Sequence, residues 1–436
     1  MKIILILLDG LGDRAYEVLD HRTPLQAAVT PNLDRLAQLG SNGLFHASRP
    51  GQCLPSETAH FLLFGYDPVL FPGRGLFEAV GYGVVFRDDD VLSLAHFSSV
   101  RWEGDIPVLA RGRKELGGDK EEMSRLYEAV TAYDTGGVHF RLQQTGFNDA
   151  ILVLGGDVSP FISDSDPMQT GMPMAQVLPL SENPEPLRAA KTAGALNRYL
   201  SWCTEVLSAH EVNRVRAAKG LPAANFLTTQ RCGRRVRQES FERKWGIPGL
   251  FIGSGAVFGG LAMELGLTFI KVEDGEDPGR DMAERIGMAL ADKSHGFVHV
   301  HTKVPDEAAH RGAPEGKVAA ISALDRGMGE LVRAAETRDD LVLAVTSDHS
   351  TPTVSRLIHS GEPVPLTIVG PHVRRDAVSR FEEINAAGGC LGLLRGKELM
   401  LSLLNAADRS VLSGHRLGPS ERPYMPEDYP PFRPYS

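Results

Sequence analysis

The 436-residue chain is poor in cysteine: Cys53, Cys203, Cys232 and Cys390 lie far apart, with no CxxC spacing. That scatter excludes a zinc ribbon and the disulfide framework of a small secreted domain, and a reduced, cytoplasmic compartment is the simplest expectation. A surplus of positive charge is also missing, since 46 Lys and Arg against 55 Asp and Glu give a formal −9. A nucleic-acid or anionic-membrane surface demands a basic patch, so neither partner is expected. An anionic substrate would need local cations, from metals or a few arginines. Long apolar runs are absent. The N-terminal one, Ile3-Ile4-Leu5-Ile6-Leu7-Leu8, stops at Asp9. It is too short for the apolar region of a secretory signal and far too short for a membrane span, so it reads as a first strand. Nor is there a dinucleotide fingerprint: Gly253-Ser254-Gly255-Ala256-Val257-Phe258 lacks the third glycine, and no organic cofactor is expected.

What the chain does have is three apolar runs that each lead to an acidic residue. The first ends at Asp9-Gly10. Phe297-Val298-His299-Val300-His301 leads into Lys303, Asp306 and His310. Leu341-Val342-Leu343-Ala344-Val345-Thr346 ends at Asp348-His349, with His359 soon after. Short β-branched runs read as buried parallel strands, and ligands bind at the carboxyl ends of such strands. Asp306 and His310, four apart, share a face if the segment is a helical turn. Each group alone has a plain structural reading as a turn, a cap or a solvated helix face. Three such strand ends together point to a metalloenzyme. Carboxylates and imidazoles without thiolates suit Zn, Mn, Co or Mg.

A nucleophile candidate follows a Gly/Pro-rich loop. Ser56 precedes the helix-like Ala59–Phe64 stretch, where backbone N–H groups and a positive dipole end would favour phosphoryl oxygens. A metal on its oxygen would lower its pKa enough for attack. A simple helix cap is the alternative. Along the chain the strand–helix rhythm is broken between about Asp88 and Arg235 by a more polar stretch with its own strand at Ala150–Leu154. It resumes from about Lys244. This reads as a doubly wound α/β core interrupted by an inserted second domain. The Pro- and Tyr-rich end, Glu421 to Ser436, is expected to lie extended or to fray.

These residues in this order resemble the alkaline phosphatase superfamily, specifically the archaeal-type cofactor-independent phosphoglycerate mutases. The resemblance runs nearly end to end. It is carried by Leu8-Asp9-Gly10-Leu11-Gly12-Asp13, by Thr23–Ala28 with Thr30–Asp34, and by Ser56-Glu57-Thr58-Ala59-His60 with Gly65–Pro68. Gly73–Gly75 with Phe77–Ala79, Ile162–Pro167, Thr346–Pro352, His359–Pro365, and Gly388-Gly389 with Arg395-Gly396-Lys397 extend it. It implies an alkaline-phosphatase-like core (1–87 and 240–436) that binds metal, and an inserted α/β cap (88–239) that closes over a small anionic phosphorylated substrate. By the same resemblance Ser56 accepts the phosphoryl group. Asp9, Ser56, Asp348 and His349 hold one divalent ion (Mn, Zn, Co or Mg), and Asp306, His310 and His359 hold the other. Lys303 stands where the family carries a lysine near the metals. Arg111 and Arg113 lie in a segment resembling the family's Arg-rich cap strand. With Asp164, Asp166 and Arg231 they are the substrate-binding candidates.

The departures fall mainly in the cap. The family's Phe-Arg-x-Asn-Phe is Ser93-Leu94-Ala95-His96-Phe97 here, its Asp-Pro-His is Asp166-Pro167-Met168, and an expected arginine falls on Gln230 beside Arg231. The nucleophile motif reads Ser-Glu-Thr rather than Ser-Asp-Thr. Each lost charged contact to a buried anion removes roughly 1.5–3 kcal/mol, so weak mutase activity is expected unless other arginines compensate. A phosphohydrolase on the same scaffold is therefore the alternative. A non-catalytic homologue fits less well, because drift would erode Ser56 or His359 first. The oligomeric state, homo-oligomer or not, is left open.

Overall fold

The computed structural model describes residues 1–414 and 431–434. Most of the tail segment expected to be extended therefore lies outside the described residues. Fourteen strands form among the rest. They are β1 (Lys2–Leu8), β2 (Ser41–His46), β3 (Val91–Glu103), β4 (Ile106–Arg111), β5 (Ala132–Thr135), β6 (Val138–Gln144) and β7 (Ala150–Gly156). β8 (Phe226–Arg234), β9 (Gly249–Gly253), β10 (Thr268–Lys271), β11 (Phe297–Thr302), β12 (Leu341–Thr346), β13 (Val364–Val369) and β14 (Gly392–Arg395) complete them.

Eight strands make one sheet, in the order β10-β9-β11-β1-β12-β13-β2-β14. The three apolar runs lie side by side at its centre: β1 pairs in parallel with β11 and with β12, Leu7 standing opposite both His301 and Thr346. Ile3 to Leu8 are wholly buried. Both faces are covered, which is why these strands read as continuous apolar runs rather than alternating ones. Because all three run the same way, the residues after them emerge at one edge. β13 is the exception, antiparallel to β12 and β2. No helix separates β12 from β13, and without a crossover the chain must double back. The connection 347–363 therefore begins and ends at that same edge.

The chain divides into two compact units: Met1–Phe71, Gln238–Gly255 and Leu261–Ser436 in one, Pro72–Arg237 and Ala256–Gly260 in the other. The second unit carries a sheet ordered β4-β3-β7-β6-β5, with β8 also on β3. Every pairing in it is antiparallel. Its core sets Phe97, Phe140 and Leu152 against helices Lys120–Ala129 and Pro186–Ala209. The division falls at Pro72 rather than near Asp88, because helix Arg74–Gly81 buries Leu76 and Ala79 with Leu92, Ile151 and Val153 of this unit. No helix among the described residues is long and apolar enough to cross a membrane.

In the first unit, Thr23 closes a capping box with Gln26 and donates its hydroxyl to Glu383 Oε2 at 2.8 Å. Burial pushes the Glu383 carboxyl up to about 7, from an ordinary 4.5. The folded protein thus holds this proton more tightly than the unfolded chain, and stability falls as pH rises from about 4.5 to 7. Glu383→Gln is expected to raise unfolding free energy by up to roughly 3 kcal/mol at pH 8 and to change little at pH 4. Urea denaturation at the two pH values measures it, and an equal effect at both would contradict the assignment.

Candidate functional site

The helix Ser56–Leu63 starts because Pro55 caps it in an extended conformation, which makes Ser56 its first residue rather than its cap. The Ser56 hydroxyl then sits 3.3 Å from Asp9 Oδ1 and 3.0 Å from His349 Nε2. Asp9 leaves the end of β1. Gly10 next to it has φ +65, and a Cβ there would lie 2.8 Å from the Asp306 Cβ and 2.5 Å from Thr351 Oγ1. Only glycine lets the β1 loop approach the other two loops this closely.

From the second strand end, Val304–His310 forms the short helix that its spacing predicts. It sets His310 Nε2 3.3 Å from Asp306 Oδ1. Lys303 Nζ reaches 3.5 Å from Asp306 Oδ2 and 3.9 Å from Asp9 Oδ2. The β12–β13 connection brings the rest. His349 Nε2 is 3.4 Å from Asp9 Oδ1 and 3.2 Å from Asp348 Oδ2, and His359 Nε2 is 3.5 Å from Asp306 Oδ1. The His349 and His359 rings stack with centroids 3.8 Å apart. Asp9, Ser56, Lys303, Asp306, His310, Asp348, His349 and His359 thus share one site. His310 and Lys303 keep 41% and 31% of their side chains exposed, and mark its open side.

Three residues not assigned from sequence complete it. His301 bonds Asp9 Oδ2 through Nε2 at 3.0 Å. His60, one helical turn below Ser56, holds the Ser56 carbonyl at 2.8 Å. Thr351 donates to Asp306 Oδ1 at 2.8 Å. The i,i+4 spacing of Ser56 and His60 was a usable signal. For His301 only sheet register tells which neighbour its face meets.

The electrostatics call for added cations. Burial works to raise the Asp9 carboxyl, but Lys303, His301 and His349 outweigh it and hold it below the usual range. Asp306 is held low despite burial, by hydrogen bonds from His310 and His359. Asp348 goes the other way: burial and then Asp9 push its carboxyl well up. Its buried Oδ2 accepts no hydrogen bond. Burial draws the His349 and His60 imidazoles down to about 3, helped by His359 and His301 respectively. Neutral imidazoles and a crowd of three carboxylates are a donor set made for divalent metal. Two groups have ligand atoms within 4.8 Å of one another: Asp306, His310 and His359, and Asp9, Asp306 and His349.

The remaining candidates lie in the second unit. Arg111 is exposed and 3.5 Å from Glu115, and Arg113 pairs with Asp149 at 2.8 Å. Asp164 accepts the Arg231 N–H at 2.6 Å, and Asp166 accepts the Met168 N–H at 2.7 Å. Met168 and Arg231 both adopt left-handed backbone, with φ 63 and 53. Such strain in non-glycine residues clusters at functional sites. Leu94 and Met168 both lie beside Gln230: Leu94 faces it across β3 and β8, and Gln230 bonds Asp166 and contacts Met168 Sδ at 3.2 Å. They form one repacked patch rather than separate losses.

The model of the metalloenzyme superfamily matches residues 1–406. The 2,3-bisphosphoglycerate-independent phosphoglycerate mutase 2 of Methanocaldococcus jannaschii is 40% identical, over 98% of each chain. The corresponding mutase of Methanopyrus kandleri is 38% identical, over 94% of this chain and 97% of its own. Among solved structures, the cofactor-independent phosphoglycerate mutase of Thermoplasma acidophilum superposes with a TM-score of 0.59 at 31% identity, covering 93% of this chain and 100% of that one.

Proposed function

The chain belongs to the 2,3-bisphosphoglycerate-independent phosphoglycerate mutases of the metalloenzyme superfamily, with their alkaline-phosphatase-like fold, and on that premise we propose that it interconverts 3- and 2-phosphoglycerate through a phosphoryl group carried on Ser56. The observation that carries this reading is the meeting of two strand ends and one helix N-terminus at Ser56 Oγ, 3.3 Å from Asp9 and 3.0 Å from His349. The hydrolase alternative is not needed.

Membership implies dependence on divalent metal. Asp9, Ser56, Asp348 and His349 would hold one ion, and Asp306, His310 and His359 the other. Bound there, the ions supply positive charge that lowers the serine pKa and neutralises phosphoryl oxygens. Ser56 Oγ, its proton already released to solvent, forms the new bond to phosphorus as the bond from phosphorus to the substrate's ester oxygen breaks. The first N–H groups of helix Ser56–Leu63 lack intrahelical acceptors and face the incoming charge. Lys303 Nζ donates the proton that the leaving oxygen needs. In the return step the other hydroxyl of glycerate attacks, gives its proton back to Lys303 and frees Ser56. The phosphoserine must be shielded from water while glycerate turns over in place.

Asp306 stands in both donor groups. Asp306→Asn is expected to lower bound metal and to cut turnover by roughly three orders of magnitude, read by elemental analysis and by an enolase-coupled assay. Undiminished activity after exhaustive chelation would end the metal proposal.

Grip on the substrate's carboxylate end is assigned, as a proposal, to Arg231 with Arg111 and Arg113, and Asp164 and Asp166 would accept from the substrate's hydroxyl. Arg231→Ala is expected to raise KM by roughly ten- to a hundredfold, the loss of one charged hydrogen bond, with a smaller change in kcat. An unchanged KM would remove Arg231 from the role.

A further inference from the structure

At the β2–β14 end of the same sheet edge, in a cavity that none of the metal-cluster residues lines, the first unit holds a concentration of positive charge. Arg49, Lys244, Arg395 and Lys397 line one cavity of about 590 Å³, together with Tyr66 and Asp67. None of the four cations pairs with a carboxylate among the described residues. Other surface arginines of this unit do pair, among them Arg14 with Glu362, Arg35 with Glu336 and Arg338 with Asp340. Lys244 is instead held over aromatic faces, its Nζ 5.2 Å from the Tyr66 centroid and 5.3 Å from Trp245. Asp67 turns its Oδ1 to the Val69 N–H at 2.9 Å, capping its own turn. In a chain of formal charge −9, four like charges left facing one cavity repel each other at a cost to the fold.

The fold builds this arrangement from three separate segments. β2 and β14 run parallel, with His46 opposite Arg395. Gly396 donates its N–H to the His46 carbonyl at 3.1 Å, and its left-handed φ of 47 turns the chain so that Lys397 caps helix Glu398–Ala406. No side chain caps that helix, so its positive end adds to the field of the cations. Arg49 comes from the loop after β2, and Lys244 from helix Phe241–Trp245. Two guanidinium forks and two point charges are the groups that recognise phosphate. The volume is that of a small-molecule site.

We propose that this cavity binds a small phosphorylated anion, separately from the substrate at Ser56. It is a second anion site on the core, either for free phosphate or for a phosphorylated small molecule. The test uses the metal-loaded enzyme with 3-phosphoglycerate present at saturation. Inorganic phosphate is one probe and a sugar bisphosphate the other, each against chloride at equal ionic strength. Acylation of Lys244 and Lys397, followed residue by residue by mass spectrometry, reports occupancy, and calorimetry gives affinity. The expected result is protection of both lysines that substrate does not abolish, with binding at least tenfold weaker in Arg395→Gln/Lys397→Gln. Mutase activity of that variant without added anion should stay at the wild-type level. Tighter binding of the bisphosphate would identify a phosphorylated metabolite as the ligand, and equal binding would identify free phosphate. Absence of protection with both probes, displacement by 3-phosphoglycerate, or unaltered affinity in the double variant would overturn the site.

Discussion

Ser56→Ala is expected to abolish turnover, by roughly four orders of magnitude or more in kcat, while the folded structure stays in place. The two halves of that expectation rest on different observations. Chemically, among the described residues this hydroxyl is the one within reach of both Asp9 and His349, so its loss removes the atom that would carry the phosphoryl group. Structurally, Ser56 is the first residue of its helix and Pro55 is the cap. Removing the side chain therefore costs no capping interaction, and alanine is the best helix former. The Ser56 carbonyl still accepts from His60. Far-ultraviolet circular dichroism and the denaturation midpoint should match the parent protein. Rapid quench of the wild-type enzyme with substrate, followed by peptide mass spectrometry, should find the phosphoryl group on Ser56. An active alanine variant, or phosphate on another residue, would refute the covalent route.

The site was legible in the sequence to the extent that covalent neighbours carry it. Asp9 follows directly on a buried strand, Asp348 and His349 come within three residues of the end of another, and strand ends in parallel sheets share an edge. Asp306 and His310 are legible from i,i+4 spacing, and they do share a helix. His301 was not, although it stood in plain view in the run Phe297–His301. Period two shows that it shares a strand face with His299, but not that the neighbouring strand offers Asp9. That follows only from the register in which Leu7 stands opposite His301. The reversal of β13 was also hidden. It depends on the connection 347–363 forming no helix, which is a consequence of the site loops it contributes. The start of the second unit at Pro72 escaped composition for a similar reason. Helix Arg74–Gly81 is amphipathic like any other, and its partners Leu92, Ile151 and Val153 are distant in sequence. The cap departures read as three independent losses, and spatial adjacency of Leu94, Met168 and Gln230 turns them into one change.

The largest effect on stability is expected at Lys317, a residue outside the metal cluster. It projects from helix Pro314–Arg326 and is completely buried. Its ammonium donates to the Gly12 carbonyl at 3.0 Å, to Asp13 Oδ2 at 3.1 Å and to the Thr351 carbonyl at 2.9 Å. One side chain thus ties the loop after β1 to the loop after β12, the two loops that deliver Asp9 and His349. Burial pulls its pKa below the usual value, and Asp13 opposes that shift. Asp13 is a hub in turn, accepting from the Thr353 hydroxyl and the Tyr16 hydroxyl at 2.6 Å each. Lys317→Met leaves the Asp13 charge buried without its ammonium, and breaking such a pair costs about 3–5 kcal/mol. It also frees the two loops, and displacement of reacting groups by about 1 Å lowers kcat by roughly a hundredfold. A second variant separates these effects. Lys317→Met with Asp13→Asn removes the stranded charge, so unfolding free energy should recover in part. The tie between the loops is still missing, so kcat should stay low. Full recovery of kcat together with stability would show that Lys317 acts on the fold alone and not on the placement of Asp9 and His349.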